Sequence, residues 1–183
     1  MSNGKPKVAY FKGLTKKDYI AKTIEIIDNE GVEAVSIRRI AKEMECSSAS
    51  LYRHFENLSE LIYYAELHTL KGYINRLNEA EKGWKNIWDY YVGIWDCYSK
   101  EAFRHQHEYD TLFLVNDNSK LNVSIKEYYE MFPEEKDKTN DFFSEMLETV
   151  DFMGRDFQIC KKCVAAGVID YDEAVRLNRM ACV

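Results

Sequence analysis

The stretch that decides the fold, residues 35–55, reads VSIRRIAKEMECSSASLYRHF. Its first part places Ile37, Ile40 and Met44 at the spacing of one helix face, and Ser36 stands directly before them as an N-cap. A turn of three residues, 45–47, follows. The pattern predicts a helix of about two turns that ends at a tight corner.

After the corner, Ser48 to His54 is predicted to form a short helix that buries Leu51 and Phe55. At 1.5 Å per residue this helix spans about 10 Å, so it fits end-on into a major groove about 12 Å wide. Two short helices joined by three residues are typical of the helix-turn-helix that binds DNA. The alternative is a structural three-helix cap with a solvated, serine-rich face.

A further helix is predicted before this stretch. Thr15 is a suitable N-cap for a helix that runs to about Glu30, with Ile20, Ile24 and Ile27 on one face. Gly31 follows at the position where a left-handed backbone carries no Cβ penalty. The first sixty residues are therefore expected to form a three-helix domain.

These residues resemble the N-terminal domain of tetracycline-repressor (TetR) family regulators. The resemblance rests on residues 19–27, on Ser-Ile-Arg-x-Ile-Ala from Ser36, and on Leu-Tyr-x-His-Phe from Leu51. It covers roughly residues 15–65, about a quarter of the chain. Family members are typically homodimeric repressors whose C-terminal domain binds a small molecule and thereby releases DNA. The resemblance implies a double-stranded DNA operator, a small-molecule effector and a second copy of the chain as partners.

Carried over by position, the resemblance implies that Ser36 and Arg38 approach phosphates or base edges. It places Ser48, Ala49 and Ser50 at the tip of the recognition helix, with Tyr52 and His54 against the DNA backbone. Together with the cationic side chains nearby, the candidate DNA-binding residues are Ser36, Arg38, Arg39, Ser47, Ser48, Ala49, Ser50, Tyr52, Arg53 and His54.

Three positions depart from the family pattern. Glu45 stands where the family usually has glycine, at a turn that favours a positive φ, and this costs on the order of 1 kcal/mol. Ser48-Ala49 replaces the usual Lys-Gly pair, and Leu58 replaces a lysine that contacts phosphate. Affinity for DNA is expected to be modest unless Arg38, Arg39, Arg53 and the lysines of the N-terminal arm compensate. Those lysines are Lys5, Lys7, Lys12, Lys16 and Lys17.

Composition predicts an all-α chain. Only two prolines and eight glycines occur in 183 residues, which is too few for the turns of a strand-built protein. The net charge of −6 excludes a uniformly basic coat for nucleic acid. There is no apolar run long enough for a membrane span and no secretory signal. Five cysteines, an odd count, argue against a disulfide framework, so a cytoplasmic location is expected.

The sequence predicts two domains: a helix-turn-helix domain over residues 1–58, and a helical ligand-binding and dimerisation domain over residues 59–183. A long helix is expected to join them, opening at Asn57 or Ser59 and running to about Ala80. Dimerisation is expected from about residues 139–183, because wide apolar faces on the last helices suit a four-helix interface. Since the last segment is short, residues 139–167 are expected to form most of this interface. The resemblance implies the same.

Aromatic residues concentrate in the middle of the chain, where 16 of the 25 fall between Trp84 and Phe157. Five of them step at helical spacing, which indicates either ordinary core packing or a cavity lined by flat faces. Nearby carboxylates suggest a flat or cationic amphipathic ligand; they are Asp89, Asp96, Glu101, Glu108 and Asp110. The candidate ligand-binding residues are Trp84, Trp88, Tyr91, Trp95, Tyr98, Phe113 and Tyr128.

Other signals point away from catalysis. Cys160 and Cys163 have the spacing of a redox or metal pair, but no further cysteine pair or histidine cluster accompanies them, so structural cysteines are the favoured interpretation. No phosphate loop, nucleophile elbow or metal-binding helix is present, and no cofactor is expected. The sequence therefore predicts a ligand-responsive regulator that acts as a homodimer on a two-fold-symmetric operator. The alternative is a helical ligand- or partner-binding protein whose DNA binding is weakened.

Overall fold

The computed structural model describes residues 13–115, 118–135, 141–149 and 152–182. Every regular element in these ranges is helical, so the all-α prediction is confirmed. The chain forms two compact units, divided between Ala65 and Glu66. The boundary predicted from the sequence, after residue 58, falls at the first residue of the helix Leu58–Glu66, which ends beside this division. Lys5, Lys7 and Lys12 of the predicted arm, and parts of the predicted dimer segment, lie outside the described residues.

The N-terminal unit is built from short helices. A single 3₁₀ turn, Val32–Ala34, connects the first two. The helices are α1 (Lys16–Glu30), α2 (Ile37–Glu43), α3 (Ser48–Leu51) and α4 (Leu58–Glu66).

Helix α1 begins at the predicted cap. The Thr15 hydroxyl accepts from the Asp18 amide at 3.4 Å, and the Asp18 carboxylate accepts from the Thr15 amide at 2.7 Å, which together make a capping box. The buried face differs from the predicted isoleucine stripe, because Ile24 and Ile27 are only half-buried. Thr23 can be buried since its hydroxyl donates to the backbone of the preceding turn. The buried residues are Tyr19, Ile20, Thr23 and Ile26.

A residue with a positive φ follows each of the helices α1 and α2. Gly31 has φ 84° and ψ 165°, so the φ is positive as predicted, although the ψ lies outside the left-handed helical region. Glu45 has φ 52°, which confirms the strained position inferred for a non-glycine residue. The Cys46 amide donates to the Ala41 carbonyl at 2.9 Å and closes a Schellman motif. This motif sets the corner of the helix-turn-helix.

Helix α3 is shorter than predicted: it ends at Leu51, whereas the sequence suggested His54. The amides of Arg53 and His54 donate to carbonyls three residues back, at 3.4 Å and 2.9 Å. The chain therefore tightens into 3₁₀-type turns after one α-helical turn. The recognition element is a single helical turn followed by a compact loop.

The C-terminal unit contains the longer helices. The continuous helix expected up to Ala80 is interrupted after α4 by a 3₁₀ turn, Leu67–Thr69. A second 3₁₀ turn is Pro133–Glu135, and a π-helical turn is Thr111–Val115. The helices are α5 (Leu70–Glu81), α6 (Ile87–Arg104), α7 (Gln106–Asp110), α8 (Asn118–Met131), α9 (Asp141–Glu148), α10 (Phe152–Ala165) and α11 (Tyr171–Ala181).

Helix α10 is the centre of this second unit. It packs against α6, α9 and α11, while α5 packs along α6. Ile159, Cys160 and Cys163 of α10 are almost fully buried, as are Ile94 and Cys97 of α6. None of the helices in the described ranges combines the length and hydropathy that a membrane span requires.

We expect Glu45→Gly to raise the free energy of unfolding by about 1 kcal/mol, because glycine adopts the positive φ without a Cβ clash. Chemical denaturation followed by circular dichroism measures the change. Lys42→Gly is the matched control, since this exposed residue lies inside α2 and the same substitution there should lower stability by about 1 kcal/mol. Equal losses in both variants would contradict strain at Glu45.

Candidate DNA-contacting surface and ligand cavity

The helix-turn-helix exposes most of the residues predicted to contact DNA. Ser48, Ser50, Arg39 and His54 are half-buried. The exposed residues are Ser36, Arg38, Ser47, Ala49, Tyr52 and Arg53. The exposed set thus combines small side chains with two arginines and a tyrosine.

Ser50 is held in place and is not a free contact at the tip. Its hydroxyl accepts from the Tyr19 hydroxyl at 2.8 Å, and Arg53 Nη2 donates to the same oxygen at 2.8 Å. Burial raises the pKa of Tyr19, so its hydroxyl stays protonated and able to donate. The Tyr19 ring lies 5.5 Å from the ring of His54. α1 therefore fixes both the recognition turn and the loop after it.

Arg39 is engaged within its own domain. Its guanidinium forms ion pairs with Glu30 and with Glu43, the latter at 2.7 Å, and donates to the Ala34 carbonyl at 3.3 Å. These hydrogen bonds raise the pKa of Arg39 and lower those of both glutamates. Arg38 and Arg53, by contrast, form no ion pair with any residue that the structure describes. Their contact with phosphate stays a prediction.

The C-terminal unit contains an apolar cavity of about 50 Å³. That volume exceeds the space of one water molecule but is smaller than the engineered cavity of about 150 Å³ that binds benzene. A ligand the size of a ring therefore needs one wall to move. The lining residues are Leu70, Tyr73, Ile94, Trp95, Tyr98, Tyr109, Phe113, Ile125, Met146, Leu147, Arg155, Asp156 and Ile159.

Aromatic rings form one side of the cavity. The Tyr98 ring lies within 6.0 Å of the rings of Tyr73, Trp95, Tyr109 and Phe113, in edge-on arrangements. Such T-shaped packing is the favoured geometry for aromatic pairs. Phe113 belongs to the π-helical turn, and turns of this kind are often found at functional sites.

Asp156 is the acidic residue of the cavity wall, and its carboxylate is buried and well partnered. Trp95 Nε1 donates to Oδ1 at 2.8 Å, while Asn178 Nδ2 donates to Oδ2 at 2.8 Å. The Cys160 thiol lies 3.8 Å from the same Oδ2. Burial raises the pKa of Asp156 in spite of these hydrogen bonds. The carboxylate thereby ties α6, α10 and α11 together.

Arg155 and Tyr109 are two of the polar side chains that line the cavity. Arg155 Nε donates to the Thr149 carbonyl at 3.0 Å. Burial raises the pKa of Tyr98, and the positive charge of Arg155 offsets part of that rise. Tyr109 is 4% exposed, and its hydroxyl has no hydrogen-bond partner among the residues the structure describes. A buried hydroxyl left in this state costs about 1–3 kcal/mol. The Tyr109 hydroxyl is therefore a buried donor with no acceptor among the described residues.

The structure brings three of the seven predicted ligand residues together in the cavity wall: Trp95, Tyr98 and Phe113. The other four lie elsewhere. Trp88 is 46% exposed, and the Tyr128 hydroxyl donates to Glu135 at 2.9 Å. Tyr91 is half-buried, and burial raises its pKa to about 12. Whether any of the seven binds a ligand stays a prediction.

Trp84 departs from the predicted stripe because α6 begins only at Ile87. Its indole nevertheless lies against α6 at Gly93, where a Cβ would collide with the ring. The aromatic stripe is therefore shared between a helix and the loop before it.

The carboxylates expected to draw a cation lie outside the cavity wall. Glu101 accepts from Arg76 at 2.7 Å, Asp96 pairs with Lys100 at 2.7 Å, and Asp89 completes the capping box of α6. Each of these three thus has a partner of its own.

The sequence prediction did not include Asp156, the carboxylate in the cavity wall. Asp156 interrupts the apolar stripe of Ile159, Cys160 and Cys163, and that interruption is a signal by which it could have been found.

The cysteine pair of α10 is buried. Cys160 and Cys163 are both fully covered, and burial raises the pKa of the Cys160 thiol to about 12. A protonated, inaccessible thiol is unreactive, which favours the structural interpretation. Within the described ranges, no group of three or more histidine, cysteine or acidic side chains is arranged to hold a metal ion.

Comparison with known proteins agrees with the helix-turn-helix. The family model of the bacterial regulatory proteins, tetR family, matches residues 20–63. An HTH-type transcriptional regulator of Staphylococcus aureus strain MRSA252 is 28% identical over 144 residues, which cover 74% of this chain and 77% of that protein. HTH-type transcriptional regulators of strains USA300 and NCTC 8325 / PS 47 are each 39% identical over 57 residues, only 31% of their length and 31% of this chain.

The fold of the N-terminal unit and these matches define a helix-turn-helix regulator of transcription. More narrowly, the match over residues 20–63 supports a TetR-family regulator, as the residues around the corner of the helix-turn-helix predicted.

We expect Phe113→Ala to enlarge the cavity and to lower the free energy of unfolding by about 2–4 kcal/mol. Saturating benzene should restore part of the loss, because a ligand that binds only the folded state stabilises it. Thermal unfolding with and without benzene measures both effects. Phe103→Ala is the control: this side chain is 77% exposed, and neither effect is expected there. A Phe113→Ala variant that benzene does not stabilise would contradict a usable cavity.

Proposed function

We propose that this regulator binds a two-fold-symmetric DNA operator as a homodimer, acts as a repressor, and is released by a small aromatic effector that binds the cavity of the C-terminal unit. The observation that carries the proposal is the exposed surface of the helix-turn-helix. It presents Arg38 and Arg53 without acidic partners among the described residues, beside small side chains at the recognition turn. In this proposal the protein acts in the cytoplasm, where bacterial DNA lies.

In the proposed complex the recognition turn enters the major groove. Ser47, Ser48 and Ala49 allow close approach to base edges, while Arg38 and Arg53 bind phosphates. Tyr52 lies against the DNA backbone from its exposed position. Ser50 and His54 act from half-buried positions, where they hold the loop rather than reach outward.

Two copies are proposed to pair through the last helices. Large apolar side chains there are exposed, which is unusual unless a partner covers them. They are Met153 at 43%, Tyr171 at 59% and Met180 at 79% exposure. Each protomer then places one recognition turn in one half-site of the operator. The effector shifts the equilibrium toward dimers whose recognition turns no longer fit that spacing.

A second candidate function is a ligand- or partner-binding protein with weakened DNA binding. Two observations favour it. The Arg39 guanidinium is already occupied by Glu30 and Glu43, and Leu58, at the start of α4, offers no charge for phosphate. This candidate differs from the first in its expected response to salt.

Substituting the proposed phosphate contacts tests the DNA function. For duplex DNA of any sequence, Arg38→Ala and Arg53→Ala should each weaken binding and reduce the slope of log K against log salt by about 0.9. Fluorescence anisotropy of a labelled duplex across a salt series gives the slope. Arg39→Ala should change the slope less, because its charge is neutralised within the domain.

Lys82→Ala, an exposed position in the C-terminal unit, is the control and should leave the slope unchanged. If all four variants bind DNA with the slope of the unsubstituted protein, the assigned contacts are wrong. If the unsubstituted protein itself has no salt-dependent DNA binding, the second candidate is favoured.

A further inference from the structure

Tyr19 is completely buried, yet its hydroxyl reaches the recognition turn of the helix-turn-helix. The O–H donates to Ser50 Oγ at 2.8 Å, a usual length for a hydrogen bond between two hydroxyls. The Cys46 sulfur lies farther from the same hydroxyl oxygen, at 3.7 Å. Because a phenol carries only one hydrogen, the shorter bond to Ser50 is the one in which Tyr19 acts as the donor.

Ser50 passes this contact on to Arg53. The Nη2 of Arg53 donates to the same Ser50 oxygen at 2.8 Å. A hydroxyl oxygen has two lone pairs, and the donors from Tyr19 and Arg53 occupy both of them. Ser50 therefore has no acceptor capacity left for DNA, and it connects a buried residue of α1 to an exposed arginine.

Arg53 keeps its capacity to bind phosphate in this arrangement. Its side chain is exposed and forms no ion pair within the described part of the chain. A guanidinium carries five N–H groups, and the one that donates to Ser50 leaves the others for a phosphate. The backbone amide of Arg53 also donates to the Ser50 carbonyl, at 3.4 Å. Both ends of the arginine are thus anchored on Ser50, which limits the directions that the guanidinium takes.

Anchoring Arg53 affects how tightly it binds, because an arginine side chain loses conformational freedom at an interface. Ordering one long side chain on binding reduces affinity by roughly threefold to tenfold. A side chain that is already ordered in the free protein loses less freedom, so the complex is tighter. This contribution changes the affinity but not the number of phosphates that are neutralised, which sets the dependence on salt.

We propose that Tyr19 is a positioning residue for DNA binding: its hydroxyl fixes Ser50, and Ser50 orients the Arg53 guanidinium toward a phosphate. Tyr19 is buried, acts only through Ser50, and is absent from the residues that the sequence predicted as DNA contacts. The inference rests on the proposed function, in which Arg53 binds phosphate. It adds that this contact is prepared from inside the domain by the packing of α1.

The variant Tyr19→Phe tests the proposal with the full chain. It removes the hydroxyl and keeps the ring, whose centroid lies 5.5 Å from that of His54 and 6.4 Å from that of Phe55. We expect the variant to bind labelled duplex DNA roughly fivefold more weakly, with an unchanged slope of log K against log salt, because Arg53 is present but less ordered. Fluorescence anisotropy across a salt series measures both quantities, and unchanged affinity overturns the proposal.

Thr23→Val is the matched control. Thr23 is also completely buried in α1, and its hydroxyl donates to the Tyr19 carbonyl within the same helix, at 2.8 Å. The substitution therefore removes a buried hydroxyl that does not reach the recognition turn. It should leave the affinity for DNA unchanged, and a loss equal to that of Tyr19→Phe overturns the proposal. Circular dichroism verifies that both variants are folded under the conditions of the binding assay.

A double-mutant cycle distinguishes positioning of Arg53 from a general loss of structure. In the Arg53→Ala background, Tyr19→Phe should cause no further loss of affinity, since the side chain that Tyr19 positions is gone. An equal loss in both backgrounds overturns the proposal, because the hydroxyl then acts on the domain as a whole.

NMR relaxation of the arginine Nε–H groups tests the same arrangement without DNA. Arg53 should show less motion than Arg38, whose side chain has no hydrogen-bond or ion-pair partner in the part of the chain that the structure describes. In Tyr19→Phe the motion of Arg53 should rise to the level of Arg38. Equal motion of the two arginines in the unsubstituted protein overturns the inference alone. If Arg53 is ordered but the protein has no salt-dependent DNA binding, the proposed function is wrong and the inference falls with it.

Discussion

The hydrogen bond from Tyr19 to Ser50 is the constraint on which the DNA-contacting surface depends. The Tyr19 ring is fully buried in α1, and its hydroxyl reaches the helical turn that is proposed to enter the groove. Because Arg53 donates to the same serine oxygen, one buried tyrosine sets the orientation of both the recognition turn and an exposed arginine. A single α-helical turn has little stability of its own, so its position must come from such tertiary contacts.

Asp156 has the corresponding role in the C-terminal unit. Its carboxylate joins α6 through Trp95 and α11 through Asn178, and it does so at the wall of the cavity. A buried carboxylate is stable only when its oxygens are hydrogen-bonded, so these donors are committed to the fold. The Tyr109 hydroxyl, by contrast, has no hydrogen-bond partner among the described residues.

Local features of the fold could be predicted from the sequence, and those that depend on distant contacts could not. The Thr15 cap, the corner at Glu45 and the start of α2 are set within a few residues, and each was predicted correctly. The end of α3 was not, because its 3₁₀ turns depend on packing. The cavity wall was predicted only in part, since Trp95 and Tyr98 follow from helix spacing within α6, while Tyr109 comes from α7 and both Arg155 and Asp156 come from α10.

Selection of binding sites from a randomised duplex pool tests the central claim, that this surface binds specific DNA as a symmetric pair. The full chain, freed of bound ligand and verified as folded, is incubated with the pool at about 50 mM and about 200 mM salt, and the retained DNA is sequenced. The account predicts enrichment of one two-fold-symmetric site, with strong loss of binding at the higher salt. Retained DNA with no enriched sequence, or no retention at the lower salt, would contradict it.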